Sequence, residues 1–308
     1  ATNPRDHFSP PGSGFDETQP NNNQGTNPVT TPDIPQRTIA DLPAGTAVGS
    51  QIHEIFEIID PTAQPLEAEV TRAVELKASS ALLRPFHHSL TTMITDALRT
   101  PFGGPFKNIS YSDIPTKDRL AEMDFDMALT SLSSGVLASD IGVVLAQILS
   151  PNDPLFDYAH QLSDASFNIP LGGLLNGSID ALLRLPDSTT DAPRLVISDY
   201  KSNKLHTADM ANPLEAYAPA KLLQTMVHHH YPLQALLYGT AIYRMLRWRA
   251  PRLDHDACIT GIAYGFIRGM VGPATPTDAS GNRCGVFTWA APAGIWSRLS
   301  DLFAGERP

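Results

Sequence analysis

Two strand-like runs, Ser178 to Leu185 and Arg194 to Lys201, flank the stretch Pro186-Asp187-Ser188-Thr189-Thr190-Asp191-Ala192-Pro193, which is made almost wholly of turn formers. That pattern predicts a β-hairpin. Symmetric pairing about the loop sets Leu185 opposite Arg194 and Asp180 opposite Asp199. Opposed side chains in an antiparallel pair hold their Cβ atoms roughly 5 Å apart, where like charges repel. A divalent cation offsets two such carboxylates, and hard oxygen donors suit Mg²⁺, with Mn²⁺ as a substitute. Lys201 lies two residues beyond Asp199 on the same strand face and adds a second positive charge. Two carboxylates, an ion and an ammonium are what phosphodiester hydrolysis needs: the ion polarises the phosphate and acidifies a water, and the lysine steadies the developing charge. Taken as a bare triplet, the same residues also fit ordinary cross-strand surface charges.

The rest of the chain predicts an α/β domain with a central mixed sheet flanked by helices. Ile52, Ile55, Phe56 and Ile59 fall at i, i+3, i+4 and i+7, one apolar helical stripe that Pro61 ends. Residues 66 to 100 are helical with a break near Pro85, and Leu76, Leu82, Leu83, Leu90, Met93, Ile94 and Leu98 are their packing positions. Met123 to Leu129 alternates as a strand, Ile141 to Leu149 is helical before Pro151, and Cys258 to Ile267 is a further strand. Pro232 suits the first position of a helix running to about Arg249, and Pro292 to Phe303 forms the last helix.

Residues 1 to 45 differ in kind. They hold eight of the 27 prolines and the stretch Gln19-Pro20-Asn21-Asn22-Asn23-Gln24-Gly25. So few apolar groups cannot offset the entropy of ordering, which makes this a disordered Pro/Asn-rich linker, with one domain over 46–308. A linker at the start of the chain suggests a piece cut from a longer polypeptide.

Charge and cysteine content narrow the function. Lys plus Arg total 22 against 32 Asp plus Glu, a net charge of -10, which counts against an autonomous DNA-binding module. Cys258 and Cys284 cannot build a four-thiolate cluster, and they suggest a reduced compartment. No run of 18 apolar residues occurs, so the expectation is a cytoplasmic protein without a membrane span.

Several ordered motifs extend the hairpin: Gly49 with His53; Glu122-Met123 with Phe125; Gly177-Ser178-Ile179-Asp180; Asp199-Tyr200-Lys201-Ser202-Asn203; Gln234 with Tyr238; and Tyr264-Gly265-Phe266-Ile267-Arg268-Gly269. From about Gly45 to Gly305 the chain resembles the RecB-type C-terminal nuclease domains of the PD-(D/E)XK superfamily. The resemblance implies that nuclease fold and a Mg²⁺-dependent exonuclease and endonuclease acting on single-stranded DNA fed by a helicase. It implies Asp180, Asp199, His53 and the Tyr200 carbonyl as metal ligands and Lys201 as the catalytic lysine. Glu122 matches an acidic residue near the active site, while Gln234 and Tyr238 match a motif of DNA handling and site integrity. The implied partners are the RecB motor portion, RecC and RecD, with RecA as a client. Relatives with a four-cysteine iron–sulfur clasp are excluded by the two cysteines.

Beside the resemblance, Glu57 is one turn from His53 and is placed to orient its imidazole. Gln234 and Tyr238 share a helix face and equally fit a buried hydrogen-bonded pair. His53-Glu54-Ile55-Phe56-Glu57 lacks the second histidine of a zinc-protease HExxH. His228-His229-His230 cannot converge on one ion in a regular helix, and a solvated or DNA-facing cluster fits better. No GxxxxGK[ST] loop is present, so any ATP-driven motor lies outside this chain. The charge balance places DNA affinity in a local patch of Arg184, Lys201, Lys204, Arg268 and the histidines, with a motor delivering the strand. The competing class is a catalytically idle nuclease-fold module for assembly, DNA guidance or RecA loading, whose mark would be loss of an aspartate or the lysine.

Overall fold

Strands β1 (Arg119–Ala128), β2 (Leu174–Arg184), β3 (Leu195–Lys201), β4 (Ile259–Phe266) and β5 (Val286–Ala290) form one sheet in sequence order. The computed structural model describes residues 41–131, 135–187, 189, 192–207 and 210–306; the expected linker lies, up to residue 40, outside the described residues. β1, β2 and β3 are antiparallel neighbours, β3 and β4 are parallel, and β4 and β5 are antiparallel, a mixed sheet. This is the expected α/β architecture of the PD-(D/E)XK nuclease type.

Helices α1 (Thr46–Ile58), α2 (Leu66–Lys77) and α3 (His87–Arg99) cover one face of the sheet. They share a core with Val196, Tyr200, Ala181, Leu183 and Ala263. Helices α4 (Ala138–Ile148), α5 (Phe156–Leu162), α6 (Pro219–His228), α7 (Tyr231–Arg249), the short α8 (His255–Cys258) and α9 (Ile295–Ala304) complete the set. α4, α5, α6, α7 and α9 pack on the other face around Ile179, Leu182, Ile197, Ile262 and Tyr264. Alternate residues of β3 and β4 feed each core, as a period of two requires, whereas β2 changes phase at Asp180, with Ile179 and Ala181 in opposite cores. β3, covered on both faces, is accordingly buried along almost its whole length. No helix among the described residues is long and apolar enough to cross a membrane.

The apolar periods place the elements well, with informative exceptions. α1 buries Val48, Ile52, Ile55 and Phe56, and α7 begins with Pro232 at its second residue. The break near Pro85 separates α2 from α3. Leu76 and Leu82, expected in the core, are instead 60% and 49% exposed, because Leu76 lies off the buried stripe of Leu66, Val70, Ala73 and Val74 and Leu82 falls in the break. β1 starts four residues before the alternating run, and α5, α6 and β5 are short elements not anticipated from the sequence. Gly261 sits at a register irregularity between β3 and β4, with φ +150° and the Trp289 carbonyl where a Cβ would stand.

Candidate active site

The hairpin pairs as symmetry about its loop requires, from Arg184 with Leu195 to Ala181 with Ser198. The next rung, Asp180 with Asp199, is not formed. The strands part there, and the Asp180 carboxylate enters the gap, its Oδ2 accepting the Tyr200 amide at 3.0 Å. On the other side of β2, Ala121 pairs with Ala181 and Met123 with Ile179, while the rung between them, Glu122 with Asp180, is skipped. Glu122 takes φ 46°. A left-handed conformation costs a non-glycine residue about 1–2 kcal/mol, and such strain persists where the surroundings over-determine it, often at functional sites. Asp124 and Asp126, its neighbours on the sequence pattern, are exposed, whereas Glu122 is half-buried.

α1 delivers His53 from the neighbouring layer. Its Nε2 lies 2.8 Å from the Tyr200 carbonyl oxygen, and its Nδ1 lies 3.3 Å from Asp180 Oδ2 and 3.8 Å from Glu122 Oε1. The acceptors facing the ring are therefore Asp180 and Glu122. Glu57, expected to orient it, lines the same cleft one turn along α1 but is exposed, and the ring nitrogens face Tyr200, Asp180 and Glu122 instead. The Ser178 hydroxyl donates to Glu122 Oε2 at 3.3 Å and holds that carboxylate in place. Donor atoms of His53, Glu122 and Asp180 lie within 4.8 Å of one another, a ligand-like cluster.

Asp199 stands beside this cluster, 1% exposed, with its Oδ1 2.7 Å from Lys201 Nζ. The lysine ammonium also sits 4.3 Å above the Tyr231 ring and 5.5 Å from the Tyr264 ring. Tyr264 donates to Gln234 Oε1 at 3.1 Å, and Gln234 Nε2 donates to the Tyr238 hydroxyl at 3.0 Å. Gln234 and Tyr238 thus form the hydrogen-bonded pair that their spacing allows, and through Tyr264 the pair buttresses the lysine. Tyr231 and Tyr264 are contacts that the sequence offered only as neighbours of other motifs. Tyr231 precedes the Pro that starts α7, and Tyr264 pairs with Asp199 across the parallel strands.

The electrostatics are those of a site that attracts positive charge. Burial pushes the His53 imidazole down, but hydrogen bonds to Asp180 and Glu122 and the charges of Asp180 and Asp199 outweigh it and raise it to about 10. Burial likewise pushes Asp180 up, yet His53 and Lys201 hold its carboxyl below the usual range. Asp199 is raised, by burial and by the adjacent Asp180 charge. Burial lowers Lys201, and the charges of Asp199, Tyr231 and Asp180 more than reverse it. The buried Asp199 oxygen without a well-aligned hydrogen bond, beside the His53, Glu122 and Asp180 donors, fits a cation, and the nitrogen and oxygen donors suit Mg²⁺ or Mn²⁺.

A cleft of about 1180 Å³ opens over these groups. His229 and Lys204 line it, and the His229 ring stacks on Tyr231 at 5.2 Å. The expected basic patch is largely spoken for: Arg184 pairs with Asp118, Lys201 with Asp199, and Arg268 is buried.

Sheet order, skipped rungs and the carboxylate–lysine cleft define a chain of the PD-(D/E)XK nuclease class. No family model matches it. The chain is 36% identical over 281 residues to the RecBCD enzyme subunit RecB of Mycolicibacterium smegmatis, covering 90% of this chain and 25% of that protein. Against the same subunit of Mycobacterium tuberculosis the identity is 37% over 302 residues, 95% of this chain and 25% of that protein. Against that of Escherichia coli it is 28% over 274 residues, 88% of this chain and 20% of the subunit. The chain belongs to the RecB family and spans about a quarter of the length of these relatives.

Proposed function

We propose that the chain is a metal-dependent deoxyribonuclease domain of the exodeoxyribonuclease V type, cutting single strands that a RecBCD-type helicase delivers during double-strand break processing and recombinational repair. The observation that carries this is the meeting of Asp180, Glu122, His53, Asp199 and Lys201 in one cleft of a RecB homologue. The partners that follow are a RecB motor portion, RecC and RecD, with RecA as a client for the product strand.

Asp180, Asp199, His53 and the Tyr200 carbonyl would hold Mg²⁺, with Glu122 beside them. When bound, the ion supplies Lewis acidity toward the scissile phosphate and lowers the pKa of a water. Lys201 faces the charge that develops on the phosphate oxygens. Asp199 and the Tyr231 face hold its ammonium in place, so little reorganisation is needed as that charge appears. His229 and Lys204 line the approach for the strand.

With about 150 mM salt present, where charges are screened beyond roughly 8 Å, cleavage of single-stranded DNA by the chain is measured with and without Mg²⁺. Metal-dependent cutting supports the reading. A chain that binds DNA or a RecBCD-type assembly yet never cuts, alone or assembled, is the idle module instead. Sub-micromolar binding to single strands by the chain alone removes the need for delivery by a motor.

A further inference from the structure

α1 brings His53 to the site, yet nothing in its own sequence secures its ends. Its N-cap is Gly45 without a side-chain cap, and no basic residue stands in its last turn. Helix ends leave backbone groups without partners, and the C-terminal carbonyls carry the negative end of the dipole.

Two arginines from distant parts of the chain hold its flanks: Arg119 supplies donors to the C-terminal carbonyls, and Arg268 ties down the segment that leads into the helix. Arg119, the first residue of β1, donates from Nη1 to the Phe56 carbonyl at 2.9 Å. Its Nη2 donates to the carbonyls of Ile59 at 2.7 Å and Glu57 at 3.3 Å. Arg268, just past β4, donates from Nη1 to the Leu42 carbonyl at 3.0 Å and from Nη2 to that of Pro43 at 2.7 Å. Its Nε donates to the Ser202 carbonyl at 2.8 Å, one residue beyond Lys201. Both guanidinium groups are buried, Arg119 8% and Arg268 6% exposed. A buried charge is expensive unless hydrogen bonds compensate it, so these bonds lock the arginines and the carbonyls together.

The buried face of α1, formed by Val48, Ile52, Ile55 and Phe56, seats the helix on the sheet. The Phe56 ring stacks on Tyr200 at 4.1 Å and 18°, a contact that holds the helix onto β3. Hydrogen bonds are directional and add a positional constraint to that packing. His53 lies one turn before Phe56, with its two nitrogens 2.8 and 3.3 Å from Tyr200 and Asp180. Metal ligands must stand within about 0.2 Å of their distances, so a small slip of α1 removes the imidazole from the cluster.

We propose that Arg119, at the C-terminal end of α1, and Arg268, at the segment leading into it, are positioning residues that set the His53 imidazole against the Asp180 and Glu122 carboxylates. Arg268 ties the same helix approach to the end of β3, which places His53 and Lys201 in one frame. This rests on the reading of His53 as a metal ligand.

The test is Mn²⁺ binding by calorimetry to the parent chain, Arg119→Lys and Arg268→Lys, each with His53 intact or replaced in His53→Ala. Circular dichroism and thermal melts identify the folded variants. Each lysine variant should bind Mn²⁺ about tenfold more weakly, the loss typical when a supporting group of a metal ligand is removed. In the His53→Ala background the same changes should alter binding less than about twofold. A parent that binds no Mn²⁺ overturns the metal reading itself. A parent that binds, with folded variants binding equally well or losing as much without His53, overturns the positioning role alone. Should the variants fail to fold, hydrogen exchange on the parent decides: Mn²⁺ should slow exchange in α1, and protection confined to β2 and β3 would overturn the proposal.

Discussion

The backbone amide of Tyr200 donates to Oδ2 of Asp180 at 3.0 Å, so a side chain of β2 takes the place of the carbonyl that a continued ladder would offer. This substitution keeps the amide satisfied while the strands part, and it aims the carboxylate at His53. The same parting leaves Asp199 free to face Lys201 instead of its cross-strand neighbour.

Replacing the ammonium should stop the chemistry. Lys201→Ala is expected to lower the rate of single-strand cleavage by about 10² to 10³, the usual loss for one charge-stabilising donor. It also leaves Asp199 buried without its counter-charge, so some stability is lost as well. Single-turnover cleavage with excess Mg²⁺, beside a urea melt, separates the two. Cleavage within a few-fold of the parent removes Lys201 from the mechanism.

Metal should stabilise the fold through the carboxylates. At a hundredfold excess of Mn²⁺ over its Kd, mass action adds about 2.7 kcal/mol, a rise of several degrees in Tm. Asp180→Asn should abolish that rise. A variant that gains as much as the parent would place the ion elsewhere.

Acid should unfold the segment after β3. Burial, then the charges of Lys204 and Arg268, hold the His206 imidazole below its ordinary 6.5. A folded-state value below the unfolded one means the unfolded chain binds the extra proton first. Stability from the neutral ring is therefore full above about pH 6.5 and is lost as pH falls below it. The gap in unfolding free energy between the parent and His206→Gln should shift against the parent between pH 7 and pH 5. A gap independent of pH would show that the ring titrates normally.

Gly239 tests packing against propensity. In a helix interior alanine is favoured over glycine by roughly 1 kcal/mol. A Cβ at Gly239, however, would lie 2.1 Å from the buried Trp296 ring. Gly239→Ala should therefore destabilise by about 1–3 kcal/mol, as overpacking does. A denaturation midpoint that rises would show that the α7–α9 contact can relax.

The difference between local and tertiary information shows at particular residues. The register of β2 and β3 was legible because two strand-like runs flank one turn-rich stretch, whose centre fixes which residues face each other. α1 was legible because four apolar residues recur on one face, a periodicity that burial on any sheet would select. Gln234 and Tyr238 could be paired because a helix sets i and i+4 together whatever surrounds it. β5 and α6 were not, since their short runs acquire a partner only when β4 and α7 are already in place.

For the site, the sequence by itself determined which groups share the hairpin: two aspartates and a lysine, in a chain of net charge -10. Only the tertiary structure decided the geometry. It skipped the Asp180 rungs on both sides, turned Glu122 into a left-handed conformation, and placed His53 against Tyr200 across 147 residues of chain. It also placed Tyr231 under Lys201, Arg119 at the C-terminal end of α1 and Arg268 at the segment leading into it. The physical reason is that a period or a turn is fixed by neighbours within a few residues. A ligand cluster is fixed by contacts between layers, whose energies depend on how the whole sheet and its helices close around it.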